Sequence, residues 1–250
     1  MQRVTPDRPW PLHSTAAIRR IEQAAAAALP PHTLMQRAGL AVARLALAIA
    51  PHARTAWIAC GPGNNGGDGF EAALHLKQWG KQPVLTWLGD AARLPPDARR
   101  SLERAQAAGV AIAQEPPPAW DLAIDALLGI GGTRPLDGAL LAAMQRMNAA
   151  SAPVLAIDLP SGLQADTGAG AHVVRATHTI SLLALKPGLF TAGGRDAGGT
   201  VWFDGLDVAH DAQAPCAWLA GPPLATARPH GSHKGSYGDV AAIGGAAGMA

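Results

Sequence analysis

The sequence predicts an α/β fold built on a mostly parallel sheet covered by helices on both faces. Three observations carry this reading. Short apolar runs alternate along the chain with longer amphipathic ones, the pattern of strands and helices in a covered parallel sheet. A glycine-rich junction, Gly61-Pro62-Gly63-Asn64-Asn65-Gly66-Gly67-Asp68-Gly69, links a strand-like run to a helix-like one. Polar and charged residues also collect at the C-terminal ends of the strand-like runs, where ligands sit in sheets of this kind.

The elements follow in order. Ser14 and the run 16–28 read as a capped helix that ends at Pro30-Pro31. A second helix spans 33–50, with Leu34, Ala38, Ala41, Leu45 and Ala48 forming its apolar stripe. Strand 55–60 enters the glycine junction, read as a loop, and helix 69–79 leaves it. Strand 83–88, helix 96–108, a short strand 110–113 and strand 121–128 come next. Helix 138–149 then precedes strands 153–158, 178–185 and 199–203.

At 250 residues the chain accommodates one large domain, or a domain plus a fragment. Charges interrupt every long apolar stretch, so no membrane-spanning segment is expected. The first eleven residues lack the apolar core of a signal peptide, which predicts a cytoplasmic protein. Cys60 and Cys216 are too few for a disulfide framework, and the nine histidines show no zinc-type spacing. A net charge of +2 without a basic stripe argues against nucleic acid as a partner.

The glycine junction formally contains G-x-G-x-x-G (Gly61, Gly63, Gly66), but Asp68 at a helix start would repel a pyrophosphate there. No Gly-Lys-Ser/Thr closes it as a phosphate loop. Two amides and a carboxylate point instead to a polar, hydroxyl-bearing small molecule with a cation nearby. The other strand ends add to this set. Asp125 lies in the C-terminal half of strand 121–128, which opens into Gly129-Ile130-Gly131-Gly132-Thr133-Arg134-Pro135. Asp158 precedes Leu159-Pro160-Ser161-Gly162, and Lys186 follows strand 178–185. A carboxylate inside an apolar strand is costly unless paired or metal-bound, which favours a cation at Asp125. Asp166-Thr167-Gly168 has no second copy to complete an aspartic protease dyad, and Ser161 does not sit in a nucleophile elbow.

At these loops the sequence resembles the NAD(P)H-hydrate epimerase family, the N-terminal domain of the NAD(P)H-hydrate repair proteins. Leu34-Met35-Gln36-Arg37-Ala38-Gly39, the run 63–69, Asp125 to Gly129, Asp158 to Leu163, Asp166-Thr167-Gly168 and Leu185 to Leu189 carry the likeness. The resemblance implies a three-layer α/β/α Rossmann-like sandwich over residues 1–215. It implies a small-molecule substrate, hydrated NADH or NADPH (NADHX or NADPHX), whose R and S forms are interconverted. Asn64, Asn65, Gly66, Gly67 and Asp68 would contact it. Gly129, Ile130, Gly131, Gly132, Thr133, Arg134 and Pro135 would form a second binding loop suited to the pyrophosphate. Asp158 would meet the nicotinamide side as the preferred acid/base. Asn65, Asp125 and Ser161 would hold a potassium ion. Ile130 departs from the family's usual Gly-Thr-Gly and removes a hydroxyl donor.

Residues 233–240 and 243–249 resemble the opening of a ribokinase-like, ADP-dependent dehydratase domain. Residues 216–229 then read as a linker and 230–250 as the truncated start of that domain, and dehydratase activity is not expected of this chain. A homodimer stays open beside a monomer. Two competing functions stay open as well: a dinucleotide-dependent oxidoreductase and a non-catalytic nucleotide-binding module. Incubation with hydrated NADH separates the three by epimerisation, redox change or binding alone.

Overall fold

The computed structural model describes residues 1–132, 135–208, 213–223 and 230–237. The first half runs β1 (Gln2–Arg3), β2 (Trp10–Leu12), α1 (Thr15–Ala28), α2 (Thr33–Ile49), β3 (Thr55–Cys60), α3 (Asn64–Gln78), β4 (Gln82–Trp87), α4 (Pro96–Ala107) and β5 (Ala111–Ala113). The second half runs β6 (Leu122–Ala126), α5 (Gly138–Ala149), β7 (Val154–Ile157), β8 (His178–Leu182), α6 (Gly194–Ala197), β9 (Thr200–Asp204) and β10 (Ala217–Leu219).

Eight strands form one sheet in the order β1-β9-β8-β7-β6-β3-β4-β5. Every neighbouring pair is parallel except β1 with β9. The chain builds outward from β3 through β4 to β5, then returns and builds the other way from β6. The switch point therefore lies between β3 and β6, where a crevice opens beyond the strand ends.

Side chains alternate across the sheet with period two. Ile58, Leu122, Ile124, Leu155 and Ile157 join a core with α2, α3 and α4. Trp57, Ala59, Ala123 and Val154 face the other way, onto Ala143, Met144 and Met147 of α5. The expected layered architecture is present, with helices on both sides of a mostly parallel sheet. Ser14 caps α1 as expected, accepting a hydrogen bond from the Ala17 amide at 3.3 Å.

Several local expectations differ. The Asn64 to Asp68 run is not loop but the first turns of α3, which starts five residues earlier than the glycines led the sequence reading to place it. Strand 178–185 stops at Leu182, because Leu183 takes a left-handed conformation (φ 61°) that ends the pairing. Strands β1, β2 and β10 were not expected, being two or three residues long and without readable periodicity. β10 pairs antiparallel with β2 and lies within 216–229, read from the sequence as linker. The strand expected at 240–243 lies outside the described residues. No helix among the described residues is long and apolar enough to cross a membrane.

Candidate active site

Beyond the C-terminal ends of β3 and β6 lies a cavity of about 450 Å³, a size that suits a small-molecule site. Its walls come from α1 (Ile18, Arg19, Glu22), α2 (Leu34, Met35, Ala38), the start of α3 (Asn64, Asn65, Asp68), the turn after β6 (Gly129 to Gly132) and Asp158 after β7.

Helix α3 is preceded by Gly63, an extended N-cap residue that offers no side-chain hydrogen bond to the first turn, and Gly63, Asn64 and Asn65 all line the cavity. Asn64, Asn65 and Asp68 project into the cavity. Gly66 and Gly67, expected as substrate contacts, do not line it. A Cβ at Gly66 would lie 2.3 Å from the Gly61 carbonyl oxygen, and one at Gly67 would lie 2.6 Å from the Met35 thioether. These glycines let α3 lie against the β3 turn and against α2, which brings the flanking Asn64, Asn65 and Asp68 to the cavity. Asn65 is buried, and its Nδ2 has no hydrogen-bond partner among the described residues.

The second predicted loop divides. Gly129, Ile130, Gly131 and Gly132 line the cavity, Pro135 is exposed away from it, and Thr133 and Arg134 lie outside the described residues. Ile130, where the family's usual hydroxyl is missing, packs onto the apolar cluster of Ile18, Ile21 and Ala184 and so fastens this loop to α1.

Asp125 sits on β6 with no exposure, flanked in register by Ala59 and Ala156, whose small side chains leave it room. Its Oδ1 accepts from Ser161 Oγ at 2.6 Å and from the Leu127 amide at 3.2 Å, and its Oδ2 accepts from the Ser161 amide at 2.8 Å. Ser161 Oγ in turn accepts from the Leu128 amide at 2.8 Å. Burial pushes the Asp125 carboxyl up to about 6, against the pull of the Ser161 and Leu127 hydrogen bonds. No cationic side chain among the described residues pairs with it. Asn65 packs against Gly129, the residue after Leu128, where an added Cβ would lie 3.4 Å from the Asn65 Oδ1. A buried, unpaired carboxylate with a hydroxyl and a nearby amide fits a hard monovalent cation. No group of three or more His, Cys, Asp or Glu among the described residues offers a multi-carboxylate site.

Asp158 directly follows β7 in a left-handed conformation (φ 71°), and its Oδ1 accepts from the Leu182 amide at the end of β8 at 3.3 Å. Lys186 Nζ donates to Asp158 Oδ1, to Leu182 O at 2.8 Å and to Ser181 Oγ at 3.2 Å. Lys186 has no exposure, whereas the Asp158 side chain keeps 13%. Burial lowers the lysine's proton affinity, and the facing Asp158 charge works against that. Lys186 stands at this sheet edge, and the fold makes it the partner of Asp158. Burial also raises Asp68 well above the ordinary carboxylate range, with the charges of Asp158 and Glu22 adding to the effect and Lys186 opposing it.

Glu22 and Arg19 escaped sequence reasoning. They sit on a polar stretch of α1 with nothing to distinguish them from a solvated helix face. The available signal was Ile18, four residues before Glu22 and so on the same face. Asp166-Thr167-Gly168 also gains a physical role. Asp166 Oδ1 accepts from the Thr15 amide at 2.7 Å, holding the first turn of α1 in place.

Residues 31–188 match the family model described as YjeF-related protein N-terminus. The chain is 37% identical to the bifunctional NAD(P)H-hydrate repair enzyme Nnr of Escherichia coli K12 over 93% of its own length and 48% of that protein's. It is 41% identical to the NAD(P)H-hydrate epimerase of Bordetella pertussis, over 70% of this chain and 82% of that one. The chain thus spans about half the length of the bifunctional relative it matches. The crystal structure of yeast ynu0 superposes with a TM-score of 0.69 at 21% identity, covering 78% of this chain and 88% of that one; it supports the fold.

Proposed function

Because the chain belongs to the family of YjeF-related protein N-termini, we propose that it is an epimerase interconverting the R and S forms of hydrated NADH and NADPH. The observation that carries this reading is the Asp158–Lys186 pair at the edge of a cavity lined by Asn64, Asn65, Asp68 and the glycine turn after β6. The epimerising carbon bears both a ring nitrogen and a hydroxyl. Its inversion needs only that the hydroxyl leave and return, or that the ring open and close, with proton transfers at each step. Asp158 is the acid/base group nearest that carbon in this reading, and Lys186 holds its carboxylate in place. Asn64, Asn65 and Asp68 orient the hydrated ring and its ribose. The backbone of Gly129 to Gly132 faces the pyrophosphate.

Asn65, Asp125 and Ser161 are the residues that would hold a potassium ion. When bound, the ion would neutralise the buried Asp125 carboxylate and brace the turns after β6 and β7 against each other. A cytoplasmic setting and a division into an epimerase domain over 1–215 and a further segment over 230–250 belong to the same reading.

The test is incubation of the chain with a single epimer of hydrated NADH, with the epimers separated by chromatography. Interconversion well above the spontaneous rate is expected. Binding without interconversion would mark a non-catalytic module, and a change in redox state would mark an oxidoreductase.

A further inference from the structure

We propose that Glu22, on helix α1, is a further catalytic residue of this pocket: it supplies the proton with which the ring hydroxyl leaves, while Asp158 accepts the proton of the water that returns. This rests on the epimerase reading above and adds a second group to it. Epimerisation through hydroxyl loss needs two such groups. The C6–O bond breaks, the hydroxyl takes the acid's proton and departs as water, and the ring nitrogen's lone pair forms the N1=C6 bond. Water then attacks the other face of C6, the π electrons return to nitrogen, and the new hydroxyl's proton goes to a base. A proton returns from that base to the acid through solvent, so nothing is consumed. One ionised and one protonated carboxyl, on different elements, meet this demand.

The pocket holds such a set. Glu22 lines the same cavity as Asp158 but comes from α1. Its carboxyl is half-buried and takes part in no hydrogen bond or ion pair among the described residues, whereas Asp158 is paired with buried Lys186. The charged groups around Glu22 are Arg19 on its own helix, Asp68 on α3, Asp158 after β7 and Lys186 after β8, with Asp97 of α4 on another wall. Two cations, Lys186 and Arg19, stand against the four carboxylates of Glu22, Asp68, Asp158 and Asp97 in this pocket, so the negative charges outnumber the positive and a proton is retained among them. Burial, with the Asp158 charge adding to it, raises Glu22, while Lys186 and Arg19 work in the opposite direction.

The placement of Glu22 is built in. Asp166 fixes the start of α1, and Ile18 and Ile21 are buried and carry Ile130 of the glycine turn. The partial exposure of Glu22 also lets it regain its proton from water at each turnover. Asp68, deeper and on α3, is the alternative acid.

The test compares wild type, Glu22→Gln and Glu22→Asp for R/S interconversion between pH 5 and 9, with NADH as an unreactive ligand for binding. A general acid gives kcat a limb that falls at high pH. Glu22→Gln is expected to lose about a hundredfold in kcat, with NADH binding and melting temperature near wild type and the high-pH limb abolished. Glu22→Asp should keep the limb and part of the rate. Near-normal kcat in Glu22→Gln overturns the assignment. So does a high-pH limb that persists but moves to lower pH, because that would place the proton on Asp68, relieved of a neighbouring charge. A fall in kcat without change in the profile's shape would leave Glu22 only a structural role and also overturn it. Wild type that fails to interconvert the epimers would instead overturn the epimerase reading on which this rests.

Discussion

Gly39→Ala tests how closely the helices that carry the site must approach each other. A Cβ at Gly39 would lie 2.2 Å from Glu71 Cβ and 2.9 Å from the Ala72 amide nitrogen. Ordinary carbon contacts are about 3.5–4.0 Å, so α2 and α3 would have to separate locally by more than about 1 Å. Neither obstructing atom is the free end of a side chain, so rotamer changes give no relief. Glu71 is also fixed from behind, with Oε1 accepting from Arg104 Nε at 3.0 Å and facing His32 Nε2 at 3.2 Å. Overpacking of this kind costs about 3 kcal/mol. Alanine recovers about 1 kcal/mol through its better helix propensity, leaving a net loss of about 2 kcal/mol. In a domain of this size that lowers the melting temperature by roughly 4–8 °C. Since α3 begins with Asn64 and Asn65, KM should rise as well. Urea titration and thermal melting read the first effect, steady-state kinetics the second. A variant as stable as wild type would show that the two helices do not cross this closely.

Asp158→Asn should retain NADH binding and lose about a hundredfold or more in epimerisation rate; near-normal turnover would move the base to another group. Asp125→Ala should remove any dependence of melting temperature and activity on potassium, and identical wild-type behaviour with and without potassium would eliminate the cation site itself. His32 is buried and holds its proton less readily than a free imidazole, chiefly through desolvation, with Glu71 opposing. Below its unfolded value of about 6.5, the unfolded chain therefore takes up a proton that the folded chain resists. That contribution is complete above pH 6.5 and is lost as pH falls from there toward the folded value. His32→Asn, which tolerates the left-handed backbone at this position (φ 73°), should flatten the decline of melting temperature between pH 6.5 and 5; an unchanged decline would show that other groups cause it.

The larger frame of this site was readable in the sequence because it rests on local signals. Alternation of apolar runs placed β3, β4, β6, β7 and β8, and each strand end marked the residues that follow it. Asp125 stood out because a carboxylate within an apolar strand has few innocent explanations, and Ser161 does hydrogen-bond to it, though 36 residues away. What escaped depends on contacts between distant segments. Gly66 and Gly67 look like loop residues because glycine disfavours helix interiors; only the approach of Gly61 and Met35 explains why a helix contains them. Glu22 reads as one more polar residue on α1 until Asp166, 151 residues away from Thr15 in sequence, fixes that helix over the cavity.

The charges of this pocket come from separate elements for a physical reason. A single strand end can deliver one carboxylate without repelling its own neighbours. Here Asp158 comes from the end of β7, Lys186 from beyond β8, Asp68 from α3 and Glu22 from α1. Each lies on a different rigid segment, so the folded core, not local chain geometry, holds like charges close together. Such a site forms only when the sheet and both covering helices are in place. Perturbing the α2–α3 contact at Gly39, about which no substrate atom need be disposed, should therefore disturb the chemistry as well as the stability.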